Sequence, residues 1–322
     1  MGSMRGMAFA VAAQPPAFGF ITVDGTRLRY LDSGAGAPVV LLHGNGSMIE
    51  DFVSSGIMDS PGHRFVAFDR PGFGYSDRPR DRIWDPSEQA SLVLRAVTQL
   101  GIDRPIVVGH SWGTLVALAM ALENPEDVAG LVLLSGYYYP VSRPEIAVPA
   151  GAFPFTRVVL RHTVAPFVRR LMAPDTLRRV FAPCEVPERF KRTYPLPLAM
   201  RTSQMRAVDE EAAMLLDFTK AYCCRYEKVS VPVHLIAGSD DLIVNTEQHS
   251  VRLHQELASS NFRCIPGCGH MLHHAAPEEV VAAISTLARA RGGKRAARQT
   301  IASSASPRRN WLHIGSESLT AA

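Results

Sequence analysis

Long hydrophobic runs are missing from this chain. No stretch of its 322 residues approaches the roughly 20 consecutive apolar residues that cross a bilayer, so stable membrane insertion is not expected. Cysteine is scarce: Cys184, Cys223, Cys224, Cys264 and Cys268 are odd in number and lack metal-ligand spacing, which argues against both a disulfide framework and a zinc site. They read as small buried residues in a reducing compartment. The N-terminal "MRGMAFAVAAQPP" has one arginine and an apolar patch at the short limit for a signal peptide, so residues 1–16 are expected to be a flexible segment and the protein cytoplasmic. A charge imbalance is also lacking over most of the chain. The net charge is +4, but residues 291–322 hold six Lys/Arg against one Glu and leave the remainder close to neutral. That segment is rich in Ser, Ala and Arg without apolar periodicity. A disordered, solvated basic tail over 292–322 is expected, and no nucleic-acid partner. No internal repeat is visible.

What the chain does contain is a rhythm. "FGFITVDGTRLRYLDSG" reads as a hairpin turning at Asp24-Gly25. Short, continuously apolar runs follow: "APVVLLHG" (37–44), "RFVAFDR" (64–70), "RPIVVGH" (104–110), "AGLVLLSG" (129–136), "VPVHLIAG" (231–238) and "FRCIPG" (262–267). Continuous apolarity predicts strands buried on both faces, as in a parallel sheet. Helical patterns lie between most of them. The clearest is "DPSEQASLVLRAVTQLG", with Asp85 as N-cap, Pro86 in the first turn and Gly101 at its close. Alternating strands and helices predict an α/β fold: a mostly parallel central sheet flanked by helices. The rhythm breaks between about Tyr137 and Ser230, where arginines, prolines and helix-like segments such as "PFTRVVLRHTVAPFVRRLMA" replace it. The expected organisation is a core of 17–136 and 231–291 with a helical cap, 137–230, inserted between two strands.

"GHSWG" places Ser111 between a strand ending at His110 and a helix starting near Trp112. A sharp strand-to-helix turn forces the serine into a strained backbone conformation and lifts its hydroxyl above the sheet. Gly109 and Gly113 fall where neighbouring backbone comes close. Serine is a weak nucleophile and requires a base oriented by a third group. "IPGCGHMLHHAAPEEV" offers His270, directly after a strand and a Gly-Cys-Gly loop, while His273 and His274 fall nearer the next helix, where exposed or packing roles are expected. "HLIAGSDDLIV" offers Asp240 and Asp241; the G-x-x-D spacing from Gly238 selects Asp241 as the orienting carboxylate and leaves Asp240 to the local turn. An oxyanion requires two donors. The backbone N–H of Trp112, at the helix N-terminus, is one, and the N–H of Asn45 in "LLHGNGS" is the other candidate. His43 beside it reads as a structural, hydrogen-bonded histidine.

Together these pieces resemble the α/β-hydrolase superfamily. The order Ser, Asp, His agrees with it, and "HGNG", "DRPGFGYSDRP", "GHSWG", "GSDD" and "GCGH" match its landmarks over roughly Phe18 to Arg291. The resemblance implies the α/β-hydrolase fold, a cap domain in the insertion, and a glycine-rich loop at Asp69–Ser76 that helps shape the floor of the site. It is nearest the capped branch of haloalkane dehalogenases, epoxide hydrolases, C–C bond hydrolases and esterases. Dehalogenases and epoxide hydrolases of that branch attack with an aspartate, so a serine at 111 points instead to acyl transfer. "GHSWG" also echoes "GGSWG" of proline iminopeptidases, with His110 in place of the glycine.

The expected activity is hydrolysis of a small-molecule carboxylic ester through an acyl-enzyme, with Ser111, Asp241 and His270 as the triad and with neither metal nor organic cofactor. A C–C bond or amide hydrolase with the same triad is the enzymatic alternative, and a non-catalytic ligand-binding protein the alternative outside enzymes. The cap sequence, Tyr137 to Glu227, holds 14 Lys/Arg and 9 Asp/Glu, read as solvated helix faces. Tyr137 and Tyr138 of "GYYYP", and Met271 beside His270, are candidates for an apolar pocket wall.

Overall fold

Asp24 and Gly25 both have positive φ, 46° and 75°, the left-handed pair that a two-residue hairpin turn uses. They join β1 (Ala17–Val23) to β2 (Thr26–Gly34), paired antiparallel with Val23 opposite Thr26. The computed structural model describes residues 17–140 and 175–304, with side chains placed as far as Gly292. The expected flexible segment 1–16, the cap residues 141–174 with the helix-like stretch 154–173, and the tail beyond Ser304 lie outside the described residues.

The six apolar runs form β3 (Ala37–Leu42), β4 (His63–Phe68), β5 (Ile106–His110), β6 (Gly130–Leu134), β7 (Val233–Gly238) and β8 (Ser260–Ile265). The eight strands make one sheet in the order β1-β2-β4-β3-β5-β6-β7-β8, parallel from β4 to β8. The chain steps from β3 outward to β4, then returns past β3 to β5. That reversal opens a crevice at the carboxyl ends of β3 and β5, the place where open α/β sheets hold ligands.

Both faces of the central strands are buried, as continuous apolarity requires. Val40, Leu42, Val66, Phe68, Val107, Leu131 and Leu133 join one core cluster; Val39, Leu41, Phe65, Ala67, Ile106, Val108, Val132 and Leu134 join the other. Helices cover each side. α1 (Ile49–Ser55) contributes Ile49 and Phe52 to the second cluster, whereas α2 (Pro86–Gln99) and α3 (Gly113–Glu123) contribute Leu92, Val93, Leu115 and Leu118 to the first. The Asp85 side chain accepts the Glu88 N–H at 2.8 Å, capping α2 as its sequence predicts. In the cap, α4 (Glu188–Thr193) and the 21-residue α5 (Thr202–Tyr222) precede β7.

Three expectations change. β8 is an edge strand whose adjacent Arg263 and Cys264, on opposite faces, are both exposed, so neither face is fully covered; Phe262 packs against the first core cluster and Ile265 joins the second. α6 (Pro277–Ser304) continues as helix 13 residues past Arg291, where the ordered core was expected to end; its Ala, Arg, Lys and Gln are good helix formers even without an apolar stripe. The cysteines are free, but only Cys268 is buried, and Cys224 and Cys264 are exposed.

Candidate active site

β5 ends at His110, Trp112 already has helical dihedrals, and Ser111 between them has φ 51°. A non-glycine residue held there costs about 1–3 kcal/mol, and the surroundings must impose it. They do so through the Ser111 N–H, which donates to the Leu134 carbonyl at 2.9 Å, and through the Ser111 carbonyl, which accepts from Thr114 Oγ1 at 2.6 Å. The flanking glycines follow from crowding. A Cβ on Gly109 would sit 2.5 Å from the Gly113 carbonyl oxygen, and one on Gly113 would sit 2.1 Å from that of Leu42. The result is a partly exposed hydroxyl at the mouth of the crevice between β3 and β5.

The loop after β8 carries His270, which is buried. His270 Nδ1 donates to Asp241 Oδ2 at 2.9 Å. Asp241 follows β7, and its Oδ1 accepts the N–H groups of Ile243 at 2.8 Å and Val244 at 2.9 Å. Burial alone would raise this carboxyl, but the His270 imidazole and the two backbone donors outweigh it and hold Asp241 below the ordinary carboxylate range. Asp240 is exposed, and its N–H donates to the Cys268 carbonyl at 2.9 Å. The structure therefore pairs His270 with Asp241 and gives Asp240 to the turn. His110, next to Ser111, bonds through Nε2 to the His270 carbonyl at 3.1 Å, with the two rings 4.9 Å apart. The elbow and the histidine loop are thus in direct contact. Ser111 Oγ makes no hydrogen bond to His270 among the described residues; such contacts are commonly long without substrate and close when it binds.

The loop after β3 lies against the elbow: a Cβ on Gly44 would sit 3.1 Å from Ser111 Cβ. Among the described residues, the backbone N–H groups of Asn45 and Trp112 have no acceptor. His43 is buried and structural. Its Nε2 accepts the Arg70 N–H at 3.0 Å, so the ring proton sits on Nδ1 and is donated to the Gly44 carbonyl at 2.8 Å. Burial, with the Arg70 charge beside it, pushes its pKa well down. The Asp69–Ser76 loop is built around buried Asp69, which accepts the N–H groups of Ile49 and Tyr75, each at 2.9 Å. Burial raises that carboxyl to about 6.

His273 and His274 have a packing role rather than an exposed one. Their Nε2 atoms meet Asp51 Oδ1 at 3.1 and 2.7 Å, and Ser47 Oγ meets Oδ2 at 3.0 Å. Asp51, His110 and His273 each bring one potential ligand atom within 4.8 Å of the others, but both Asp51 oxygens are already engaged, Oδ1 by the two imidazoles and Oδ2 by Ser47. Of the expected pocket residues, Tyr138 is fully buried in the core, so it packs the fold instead of facing open space. Tyr137 packs against His249 with the rings tilted and their centroids 4.4 Å apart, and Met271 packs against Phe181 and Phe190 of the cap. His249 was not singled out by the sequence. Its Nδ1 accepts the N–H groups of Tyr138 and Tyr139 at 3.1 and 3.3 Å, which requires a neutral ring, and burial lowers its pKa to about 4.

A family model described as "Alpha/beta hydrolase family" matches residues 39–283. Haloalkane dehalogenase 2 of Mycobacterium tuberculosis is 28% identical over 265 residues, covering 80% of this chain and 90% of that protein. 2-Hydroxymuconate semialdehyde hydrolase of a Pseudomonas strain is 26% identical over 273 residues, covering 80% and 89%. Among solved structures, a haloalkane dehalogenase from Bradyrhizobium elkani superposes with a TM-score of 0.64 at 21% identity, over 86% of this chain and all of that one. Among the described residues, no helix is long and apolar enough to cross a membrane.

Proposed function

Because the chain belongs to the alpha/beta hydrolase family, we propose that it is a serine hydrolase that cleaves a small-molecule carboxylic ester through an acyl-enzyme. The observation that carries this reading is Ser111, held at positive φ on the turn between β5 and α3, beside two unclaimed backbone N–H groups and a His270–Asp241 pair. His270 takes the hydroxyl proton through Nε2 as Ser111 Oγ attacks the ester carbonyl. Asp241 accepts the Nδ1 proton's hydrogen bond, fixing the tautomer and stabilising the imidazolium. The N–H groups of Asn45 and Trp112 receive the developing oxyanion, and the α3 N-terminus adds its positive dipole end. His270 then returns the proton to the leaving alcohol. A water molecule, deprotonated by the same imidazole, releases the acid.

Position 111 also separates this chain from the dehalogenase relative. Displacing halide from an sp³ carbon requires a carboxylate nucleophile whose ester product can be hydrolysed; an alkyl ether on serine would be a dead end. A second reading is hydrolysis of a C–C bond beside a carbonyl, favoured by the semialdehyde hydrolase relative, which covers most of this chain. Ester, amide and C–C hydrolysis share the triad and differ in the leaving group.

A panel of short-chain nitrophenyl esters, matched anilides and β-diketones separates these readings. The expected result is ester turnover with kcat/KM at least about tenfold above the other two classes, a difference of about 1.4 kcal/mol in transition-state binding. Faster cleavage of β-diketones would replace the ester reading with the C–C one. No turnover in any class, with Ser111 unreactive, would leave a ligand-binding protein.

A further inference from the structure

Arg70 follows β4 and is completely buried. Its Nε donates to the His43 carbonyl at 2.8 Å and its Nη2 to the Gly44 carbonyl at 3.0 Å. The Gly44 carbonyl, which also accepts from His43 Nδ1 at 2.8 Å and from the Ser47 N–H at 3.2 Å, belongs to the same planar peptide as the Asn45 N–H, so the groups that grip the oxygen together fix the direction of the N–H. The other side of the guanidinium faces Glu211 on α5. Nη1 pairs with Glu211 Oε1, Nη2 reaches Oε2 at 3.1 Å, and Nη1 also donates to Gln89 Oε1 at 2.8 Å. Gln89 Nε2 closes the network by donating to Glu211 Oε1 at 3.0 Å. Glu211 is as buried as its partner.

Two further contacts come from the same stripe of α5. Gln204 Nε2 donates to the Gly46 carbonyl at 3.3 Å, and the Val208 carbonyl accepts from Asn45 Nδ2 at 3.2 Å. Residues 204, 208 and 211 share one helix face. One cap helix therefore holds the loop from Gly44 to Gly46 at three points, two directly and one through Arg70.

We propose that Arg70 and Glu211 are positioning residues that orient the Asn45 N–H toward the oxyanion, Arg70 by holding the Gly44 carbonyl and Glu211 by holding Arg70 from the cap. The proposal rests on the reading of Asn45 as an oxyanion donor. A buried ion pair serving only to fasten the cap would not have to reach this peptide. The arrangement makes docking of α5 a condition for a complete oxyanion hole.

The test uses Glu211→Gln in the full chain, with Glu210→Gln as control. Glu210 is the neighbouring residue, half-exposed and paired with Arg78. On a short-chain nitrophenyl ester, Glu211→Gln should lower kcat by about tenfold, with KM within about twofold; losing an oxyanion donor outright costs about 10²–10³, and a misdirected one costs less. Selective ¹⁵N-asparagine labelling gives a second readout that does not depend on turnover. The Asn45 amide resonance should move in Glu211→Gln, whereas those of Asn124, Asn245 and Asn261 should not, and Glu210→Gln should move none of them. Arg70→Lys, which cannot span both carbonyls and the carboxylate, should reproduce both effects and serves if Glu211→Gln does not fold. An unchanged kcat and an unmoved Asn45 resonance, with only a lower Tm, would overturn the proposal and leave the pair a fastener. Full turnover in Ser111→Ala would instead overturn the reading of Ser111 as the nucleophile, and the Asn45 resonance would still decide what holds that peptide.

Discussion

Replacing Ser111 with alanine should lower kcat on a nitrophenyl ester by at least about 10⁴-fold while KM stays within a few-fold. In the proposed mechanism this hydroxyl forms the covalent intermediate. Its loss leaves the N–H groups of Asn45 and Trp112, and the crevice that binds substrate, intact. Stability should hardly change. Ser111 Oγ makes no hydrogen bond among the described residues, and the backbone contacts that impose φ 51° come from Leu134 and Thr114. Alanine at the same φ keeps them, so a change within about 0.5 kcal/mol is expected. A variant with normal thermal unfolding and turnover within tenfold of the parent would show that another group attacks.

Asp241→Asn should lower kcat at neutral pH by about 10⁴-fold, and the local geometry supplies the reason. Two backbone N–H groups, from Ile243 and Val244, converge on Oδ1. In the variant only the amide oxygen can accept them, so the NH₂ is turned toward His270. His270 Nδ1 must then present its lone pair, and the proton moves to Nε2, the nitrogen that has to accept from Ser111. The site stays assembled around the wrong tautomer. Asp240→Asn, one residue earlier and exposed, should leave kcat within about twofold, like other exposed changes away from the chemistry. Paired kinetics of the two variants read this directly. Equal losses would mean that charge near the loop matters and tautomer control does not.

The parts of this arrangement visible in the sequence are those whose cause is local. Continuous apolar runs exist because both sheet faces are covered, and Val39 to Leu42 or Ile106 to Val108 carry that signal in consecutive residues. The elbow is legible because the tight approaches at Gly109 and Gly113 leave glycine as the only fitting residue, two places either side of the serine. Asp241 could be preferred over Asp240 by spacing, but what separates them physically is the turn that aims two N–H groups at one carboxylate. Glu211 had no local signal at all. It is one of three consecutive acids on an amphipathic helix, and its burial is decided by Arg70, 141 positions away. Arg70 itself sat within a recognised glycine-rich stretch, yet only the folded loop reveals that its guanidinium reaches back to His43 and Gly44. Tyr138 misled for the converse reason: an aromatic run at a strand end fits a pocket wall or a core equally well, and the neutral His249 beneath it selects the core. The helix running to Ser304 reflects propensity, which a search for apolar periodicity does not register.

The most direct test is chemical. Incubate the intact protein with a fluorophosphonate and map the adduct by peptide mass. The site described here predicts a single adduct, on Ser111, that disappears in Ser111→Ala. An unlabelled protein, or an adduct on a different serine with Ser111 unmodified, would contradict it.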